Sequence, residues 1–313
     1  MQSSIRRKTS GRIGLKKDLL FYVIMLIWPV AQFCVFYIGV NFNSFFLSFR
    51  KITMDLESRS YIYTWSTEGI QKAWELLSTP EIMTATRISL LAWILGMFTG
   101  LPLGLLFSHY IAKKMPFSGF FRVLLFLPSI ISAIVIATLY MYFLNNAIPM
   151  FARDVLGKEV MSMLDARRPI ADQFLALFFY NTWIGFGVNV LMYANSMSGI
   201  SPEMVEAANL DGATGFKEFW HISLPQVYPT LSVFIVTGIA SIFTNQFNLF
   251  TFYGTSAPYQ TFGYYLYKET LNHNTDLPYF PKLAAFGLMM AIVAIPLTFL
   301  VRWLLEKFGP TED

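Results

Sequence analysis

The chain has 313 residues, of which 55% are hydrophobic and only 13% are charged, whereas soluble domains average about 25% charged residues. This composition excludes an ordinary water-soluble globular protein. A net charge of +4, not gathered on one soluble segment, argues against a nucleic-acid-binding protein. The single cysteine, Cys34, has no disulfide partner and no neighbours with metal-ligand spacing, so we predict neither a disulfide nor a metal site.

Six segments are apolar and long enough to cross a bilayer, which takes about 20 residues in a helix. They span residues 19–46, 83–111, 120–144, 171–197, 228–250 and 283–305. The first is too long for the apolar core of a signal peptide, about 7–15 residues, and is interpreted as a retained span. We therefore predict an all-α integral membrane protein of about six transmembrane helices, with tails at 1–18 and 309–313 and a membrane domain at 19–308.

Lysines and arginines near the span ends predict the orientation, because cytoplasmic loops carry an excess of them. The N-terminal tail is strongly basic, and the loop after the second span holds Lys113, Lys114 and Arg122 without any acid. The loops 50–82 and 145–169 mix both signs and are predicted to lie outside. Both termini are therefore predicted to be cytoplasmic.

The predicted cytoplasmic loop 199–227 differs from the others because it is mildly acidic and its composition favours helix. Ser201 and Pro202 suit the cap and first turn of a helix, and Gly212 and Gly215 interrupt it. We predict a short helix–turn–helix that docks a soluble partner. The alternative is a surface helix that merely ends at a glycine.

This loop contains a spaced motif: Glu206, Ala207, Ala208, Asp211, Gly212, Ile222, Leu224 and Pro225. The alanines permit close approach, Glu206 offers a charge to a basic partner, and Gly212 permits a turn. The complete spacing resembles the signature loop of permease subunits of bacterial ATP-binding-cassette (ABC) importers. Residues 121–142 and 183–186 resemble the sugar-transporting branch of that family.

The resemblance implies the type I ABC importer permease fold in the bacterial cytoplasmic membrane, with this loop as the coupling helix. It also implies the partners: a second homologous permease forming a heterodimer, two ATP-binding subunits and an extracytoplasmic sugar-binding protein. The chain has no Gly-rich phosphate loop with lysine, so ATP and Mg²⁺ are expected on the partner subunits. We predict no cofactor and no catalytic residue in this chain, membrane lipid around it, and no nucleic acid.

A polar cluster in the fifth predicted span is the candidate substrate site. Ser241, Thr244, Asn245 and Asn248 share one face if this segment is helical. Asparagine amides can donate to and accept from sugar hydroxyls. Hydrogen bonding between helices is the alternative, and this is also our interpretation of Asn189 in the fourth span.

Resemblance to the maltose-type permease favours sugar binding by Ser241, Asn245 and Asn248, with Thr244 in place of an aromatic residue. It also places the opposite wall of the pocket on the fourth predicted span. The residues implied there are Ile184, Gly185 and Val188.

We therefore predict a permease subunit of an ATP-driven, binding-protein-dependent importer of sugars, oligosaccharides in particular, and not an enzyme. Three alternatives fit the residues less well. An importer of polyol phosphate or peptide would want cations in its cavity, and the spans offer almost none. A proton-coupled secondary transporter needs an ionisable relay inside the membrane, and an intramembrane enzyme needs a catalytic group there. The span interiors contain neither arrangement.

Overall fold

The computed structural model describes residues 11–55, 57 and 59–310. Six of the helices described are long and apolar enough to cross a membrane, as predicted: Phe21–Ser48, Pro80–Ala112, Ala133–Leu156, Ile170–Ser198, Phe216–Ser241 and Leu277–Phe308. Residues 1–10 and 311–313 of the predicted tails lie outside the described residues. The described residues divide into two compact units: those up to 72 together with 276–288, and those from 73 to 275 together with 289–310.

The first unit contains the first span and a β-hairpin. The span consists of α1 (Gly11–Gln32), a π-helical segment (Phe33–Gly39) and α2 (Val40–Ser48). Strands β1 (Arg50–Asp55) and β2 (Ser60–Trp65) pair antiparallel, with Arg50 opposite Trp65. The hairpin lies in the region predicted only as an outer loop. The available signal was the run of aromatic and β-branched residues in Ser60–Trp65, which is typical of a strand.

Helix α3 (Glu68–Leu77) follows the hairpin, and its first turn is closely packed within this unit. A Cβ atom added to Gly69 would lie 3.1 Å from the carbonyl oxygen of Pro281 and 3.4 Å from that of Ser48. The Glu68 carboxylate pairs with Lys51 at 2.6 Å and with Lys72 at 2.7 Å. Hydrogen bonds from Lys51 and then Lys72 lower the pKa of Glu68 to about 2. The ion pair between the hairpin and the helix, Lys51–Glu68, therefore persists at mildly acidic pH, as does the Lys72–Glu68 pair within α3.

The second unit holds the remaining helices. In chain order they are α4 (Pro80–Ala112), α5 (Ser118–Ile130), α6 (Ala133–Tyr142), α7 (Ile148–Leu156), α8 (Ile170–Ser198), α9 (Pro202–Leu210), α10 (Phe216–Glu218), α11 (Leu224–Ser241), α12 (Leu249–Tyr253) and α13 (Phe262–Asn272). Two π-helical segments, Phe143–Ala147 and Phe219–Ser223, join α6 to α7 and α10 to α11. A 3₁₀ turn (Leu277–Tyr279) leads into α14 (Phe280–Phe308), which contributes to both units.

Helix α8 is the central element of the second unit, because α4, α5 and α11 all pack against it. The buried Ser108 hydroxyl of α4 lies 2.5 Å from the Gly104 carbonyl oxygen of its own helix and 2.9 Å from the Val190 carbonyl oxygen of α8, and shares its one proton between them. On the other side, a Cβ atom on Gly187 would overlap the Leu125 carbonyl of α5. Small residues therefore bring these helices into backbone contact.

The predicted third span, 120–144, is wrong as one continuous helix. Helix α5 ends at Ile130, Ile131 is extended with ψ 143°, and α6 begins at Ala133. The helical segment then continues to Leu156, into the region predicted as an outer loop. Hydropathy missed this break because it reports the composition of a segment and not its backbone geometry.

Candidate functional site

A cavity of about 320 Å³ lies between α4, α8 and α11, a size at the lower end of small-molecule sites. Its polar side chains are all uncharged: Asn181, Thr182, Asn189, Ser241 and Asn245. Aromatic rings supply much of the rest, namely Trp93, Phe178, Phe186, Tyr193, Phe234 and Phe247. None of the described residues that line it is Asp, Glu, Lys, Arg or His. The cavity therefore suits an uncharged ligand that has both hydroxyl groups and apolar faces.

A break in the fifth span forms one edge of the cavity. Helix α11 ends at Ser241, and helix resumes only at Leu249. Phe247 and Asn248 between them both have φ 56°, and the Asn245 Oδ1 accepts from the Phe247 N–H at 2.7 Å. The predicted span 228–250 is thus wrong in its second half. The expectation that Ser241, Thr244, Asn245 and Asn248 share a helical face is wrong for the same reason.

Neighbouring elements satisfy the backbone of this break. The Asn181 amide on α8 donates to the Phe247 carbonyl at 3.1 Å, and its oxygen accepts from the Asn248 amide at 2.7 Å. The Thr261 hydroxyl donates to the Asn245 carbonyl at 2.8 Å. Irregular backbone at membrane depth is tolerated where it is buried in protein or lines a cavity, and this segment meets that condition.

Three of the seven predicted substrate residues line the cavity: Gly185, Ser241 and Asn245. The other four do not. Thr244 and Val188 are exposed elsewhere, and Asn248 is held by Asn181. Ile184 packs against a buried cluster that includes Tyr140 and Tyr180.

The contributions of α4 and much of α8 to the cavity were not predicted from the sequence. Trp93 of α4, together with Asn181 and Thr182 of α8, was not among the predicted site residues, and Asn189 was interpreted as a helix–helix contact. All four line the cavity. Polar residues inside a span were the available signal for α8. Trp93, near the middle of the second span, could not be told from a lipid-facing side chain without the packing of α4 on α8.

The predicted helix–turn–helix in loop 199–227 is present. The Ser201 hydroxyl caps α9 by accepting from the Met204 N–H at 3.3 Å, with Pro202 in the first turn. At the other end, Gly212 has φ 78°, its N–H donates to the Asn209 carbonyl, and the Ala213 N–H donates to the Ala208 carbonyl at 2.8 Å. These two bonds form a Schellman motif, which requires the left-handed residue at Gly212.

The loop presents one side to solvent and packs the other against its own chain. Glu206, Ala207, Asp211 and Gly212 are exposed, and Leu210 is 90% exposed. Ala208 is buried, so it shapes the contact with the chain itself and does not offer a surface to a partner. Ile222, Leu224 and Pro225 are half-buried where α11 begins.

The loop is fastened to the end of α4. The buried Glu218 carboxylate forms an ion pair with Lys113, which follows α4. The Ser223 hydroxyl and His109 Nδ1 lie 3.2 Å apart, and the His109 and Phe219 rings meet edge to face. Since α10 continues through the π-helical segment into α11, these contacts hold the base of α11 beside α4.

The cavity and the loop 199–227 both lie in a region of the chain that matches a known protein family. The family described as "Binding-protein-dependent transport system inner membrane component" matches residues 69–311. The chain belongs to this family. It is therefore a transport component, here called the permease, with several membrane-spanning helices. The matched region includes the cavity and the loop between α8 and α11.

Individual relatives are similar along most of their length. The permease is 24% identical over 231 residues to the multiple sugar-binding transport system permease protein MsmF of Streptococcus mutans, covering 73% of this chain and 76% of the relative. It is 27% identical to the probable ABC transporter permease protein PH1215 of Pyrococcus horikoshii, covering 89% and 94%. In structure, it resembles a chain of a bacterial ABC transporter involved in the import of the acidic polysaccharide alginate. That likeness has a TM-score of 0.71 at 19% identity and covers 95% and 98% of the two chains, so the two share a fold.

Proposed function

We propose that the permease is one of two membrane subunits of an ATP-driven importer of sugars, oligosaccharides in particular. The observation that carries this proposal is the uncharged cavity at the break of α11, lined by asparagine amides and aromatic rings. Such groups suit the hydroxyls and the C–H faces of a sugar. The names of relatives agree with it, since MsmF is a multiple sugar-binding system permease and AraP of Bacillus subtilis an arabinooligosaccharide permease.

The cavity offers side chains that are free to meet a ligand. Among the residues described, the side chains of Thr182 and Asn189 have no hydrogen-bond partner within the chain, although both line the cavity. A sugar hydroxyl at this place gives each a partner. Both side chains are half-buried, so a ligand that removes them from water has to supply a hydrogen bond, because an unpaired buried polar group is costly. These two side chains therefore favour a hydroxylated ligand over an apolar one.

A phosphorylated solute is the second candidate, because UgpA of Agrobacterium fabrum, 20% identical to this chain, is named as an sn-glycerol-3-phosphate permease. A phosphate ester transferred into a site without cations loses its hydration and gains no opposite charge. The described lining of the cavity supplies no lysine, arginine or histidine. The same argument disfavours a peptide with charged ends, so a sugar fits this chain better.

In this proposal the exposed side of α9 binds to an ATP-binding subunit, which holds ATP and Mg²⁺. Glu206 faces a basic group there, and Leu210 enters an apolar cleft. Since α10 and the π-helical segment lead directly into α11, movement of the loop displaces this 18-residue helix, about 27 Å long. Its far end is Ser241, at the cavity. A push at the loop therefore changes the cavity wall.

The remaining partners in the proposal are a second homologous permease subunit, a second ATP-binding subunit and an extracytoplasmic binding protein that delivers the sugar. The loop 199–227 then faces the cytoplasm, as do both termini, in a bacterial cytoplasmic membrane. No cofactor is required in this chain, because ATP is hydrolysed on the partner subunits.

Purification followed by reconstitution tests this function. The permease is expected to co-purify with an ATP-binding subunit, and ATP hydrolysis in proteoliposomes should rise when the binding protein is loaded with a neutral oligosaccharide. Glycerol phosphate and short peptides serve as comparison solutes. Stimulation by one of those and by no sugar would contradict the proposed substrate.

The Asn189→Ala variant tests the cavity directly. Since this amide has no partner within the described chain, its removal should leave the fold intact and delete one hydrogen bond to the sugar. A hydrogen bond contributes about 0.5–1.5 kcal/mol, so the sugar concentration for half-maximal uptake should rise about 2–10-fold. Asn195→Ala is the matched control, because Asn195 is exposed on the same helix outside the cavity. Equal uptake by the two variants would place the sugar elsewhere.

A further inference from the structure

The hairpin in the first unit has one apolar face and one polar face. Residues opposite each other in an antiparallel pair lie on the same face of the sheet, and successive residues alternate between faces. The strand register therefore places on one face Arg50, Ile52, Met54, Tyr61, Tyr63 and Trp65. The other face carries Lys51, Thr53, Asp55, Ser60, Ile62 and Thr64, of which only Ile62 is apolar.

The β2 half of the apolar face is uncovered. Trp65 is 69% exposed and Tyr63 is 53% exposed, whereas Ile52 on β1 is only 5% exposed. Tyr61, Tyr63 and Trp65 thus form a stripe of three aromatic rings at every second residue, about 7 Å apart along the strand. Exposed aromatic residues aligned in this way indicate a surface that something covers.

This stripe is continuous with the surface of the first span. One residue, Phe49, separates α2 from β1, and the Phe46 ring of α2 meets the Trp65 ring at 6.3 Å. The side chains from Phe21 to Phe46 are exposed along this apolar helix, where hydrocarbon is the natural surrounding. The medium that surrounds the first span therefore also reaches the aromatic stripe, at Trp65.

Contact with the end of a second span indicates how deep the hairpin lies in the membrane. Strand β1 packs against Leu277–Tyr279, the turn with which the last membrane-crossing helix begins. The hairpin thus touches the ends of two spans in its own unit, and this places it where membrane meets water. Tyrosine and tryptophan favour that depth because their rings are apolar and their polar groups reach water.

We propose that the aromatic stripe Tyr61, Tyr63 and Trp65 lies in the lipid headgroup layer and anchors the first and last spans. Arg50 stands over the Trp65 ring at 5.6 Å, at the same end of the sheet, where its guanidinium can bind a lipid phosphate. The opposite face, with Lys51, Ser60 and Thr64, meets water. This anchor is independent of the transported solute and of which side of the membrane the hairpin occupies.

Spin labels placed singly along β2 test the proposal in the full-length protein, purified with its associated subunits in phosphatidylcholine–phosphatidylglycerol nanodiscs. Cys34→Ala removes the only native cysteine, and Tyr61→Cys, Tyr63→Cys, Ser60→Cys and Thr64→Cys then carry the label one at a time. Compared with labels at 60 and 64, labels at 61 and 63 should collide more often with oxygen and less often with a water-soluble nickel chelate. At 60 and 64, the matched controls, access to nickel should be retained.

Two other results overturn the anchor. Access of nickel to all four labels would place the hairpin in water, and loss of access to both reagents at 61 and 63 would show that a protein subunit covers the stripe. A second measurement avoids the label: brominated lipid should quench the fluorescence of Trp65, read as the difference between the native protein and Trp65→Phe. Equal quenching in the two proteins would also overturn the proposal.

Discussion

Substitution of Gly212 by valine is expected to lower solute uptake by at least about tenfold while the membrane-spanning helices stay folded. Gly212 has φ 78° and no atom within 4 Å of an added Cβ, so the penalty arises from backbone conformation alone. A left-handed conformation costs an ordinary residue about 1–2 kcal/mol, and a β-branched one is a genuine outlier there. The end of α9 must then rearrange, and about 1.4 kcal/mol already corresponds to a tenfold loss of the docked state. Uptake and the yield of co-purified ATP-binding subunit are the measurements.

Two further variants separate this cause from a general disturbance of the loop. Thr214→Val places the same β-branched residue at an exposed position of the same turn, outside the left-handed region, and should retain uptake. Gly212→Asn should retain part of it, because asparagine tolerates the left-handed conformation. Wild-type uptake by Gly212→Val would remove the loop from the coupling mechanism.

The largest effect on stability is expected from Gly187→Ala. In α8, alanine would normally stabilise a helix by about 0.8–1.0 kcal/mol over glycine. At Gly187, however, the new Cβ atom would overlap the Leu125 carbonyl oxygen of α5, and the Leu125 backbone cannot yield as a side chain can. Overpacking of this kind costs about 1–3 kcal/mol, so the substitution should destabilise. Thermal unfolding of the purified protein in detergent shows whether the substitution lowers or raises the unfolding temperature.

Gly185→Ala is the matched control, two residues away on the same helix. An added Cβ meets no atom within 4 Å there, so the helix propensity of alanine should raise the unfolding temperature or leave it unchanged. Gly185 also lines the cavity, and this variant can alter uptake without altering stability. Equal unfolding temperatures for Gly187→Ala and Gly185→Ala would show that α5 and α8 are not in backbone contact.

The sequence by itself determined that the chain crosses a membrane through six helices, since the cost of unpaired backbone groups in lipid demands long apolar helices. It also identified the loop between α8 and α11. Ser201, Pro202 and Gly212 act through local backbone chemistry, which depends on neighbours in sequence. Both features therefore could be predicted without knowledge of long-range contacts.

Only the tertiary structure decided where the helices break and what lines the cavity. The break after Ser241 is stabilised by Asn181 and Thr261, which are distant in sequence. Without these contacts the polar residues of the fifth span resemble one helical face, and Trp93 resembles a lipid-facing ring. Composition records how apolar a segment is, whereas a cavity depends on which faces of α4, α8 and α11 meet, and that is set by packing between helices.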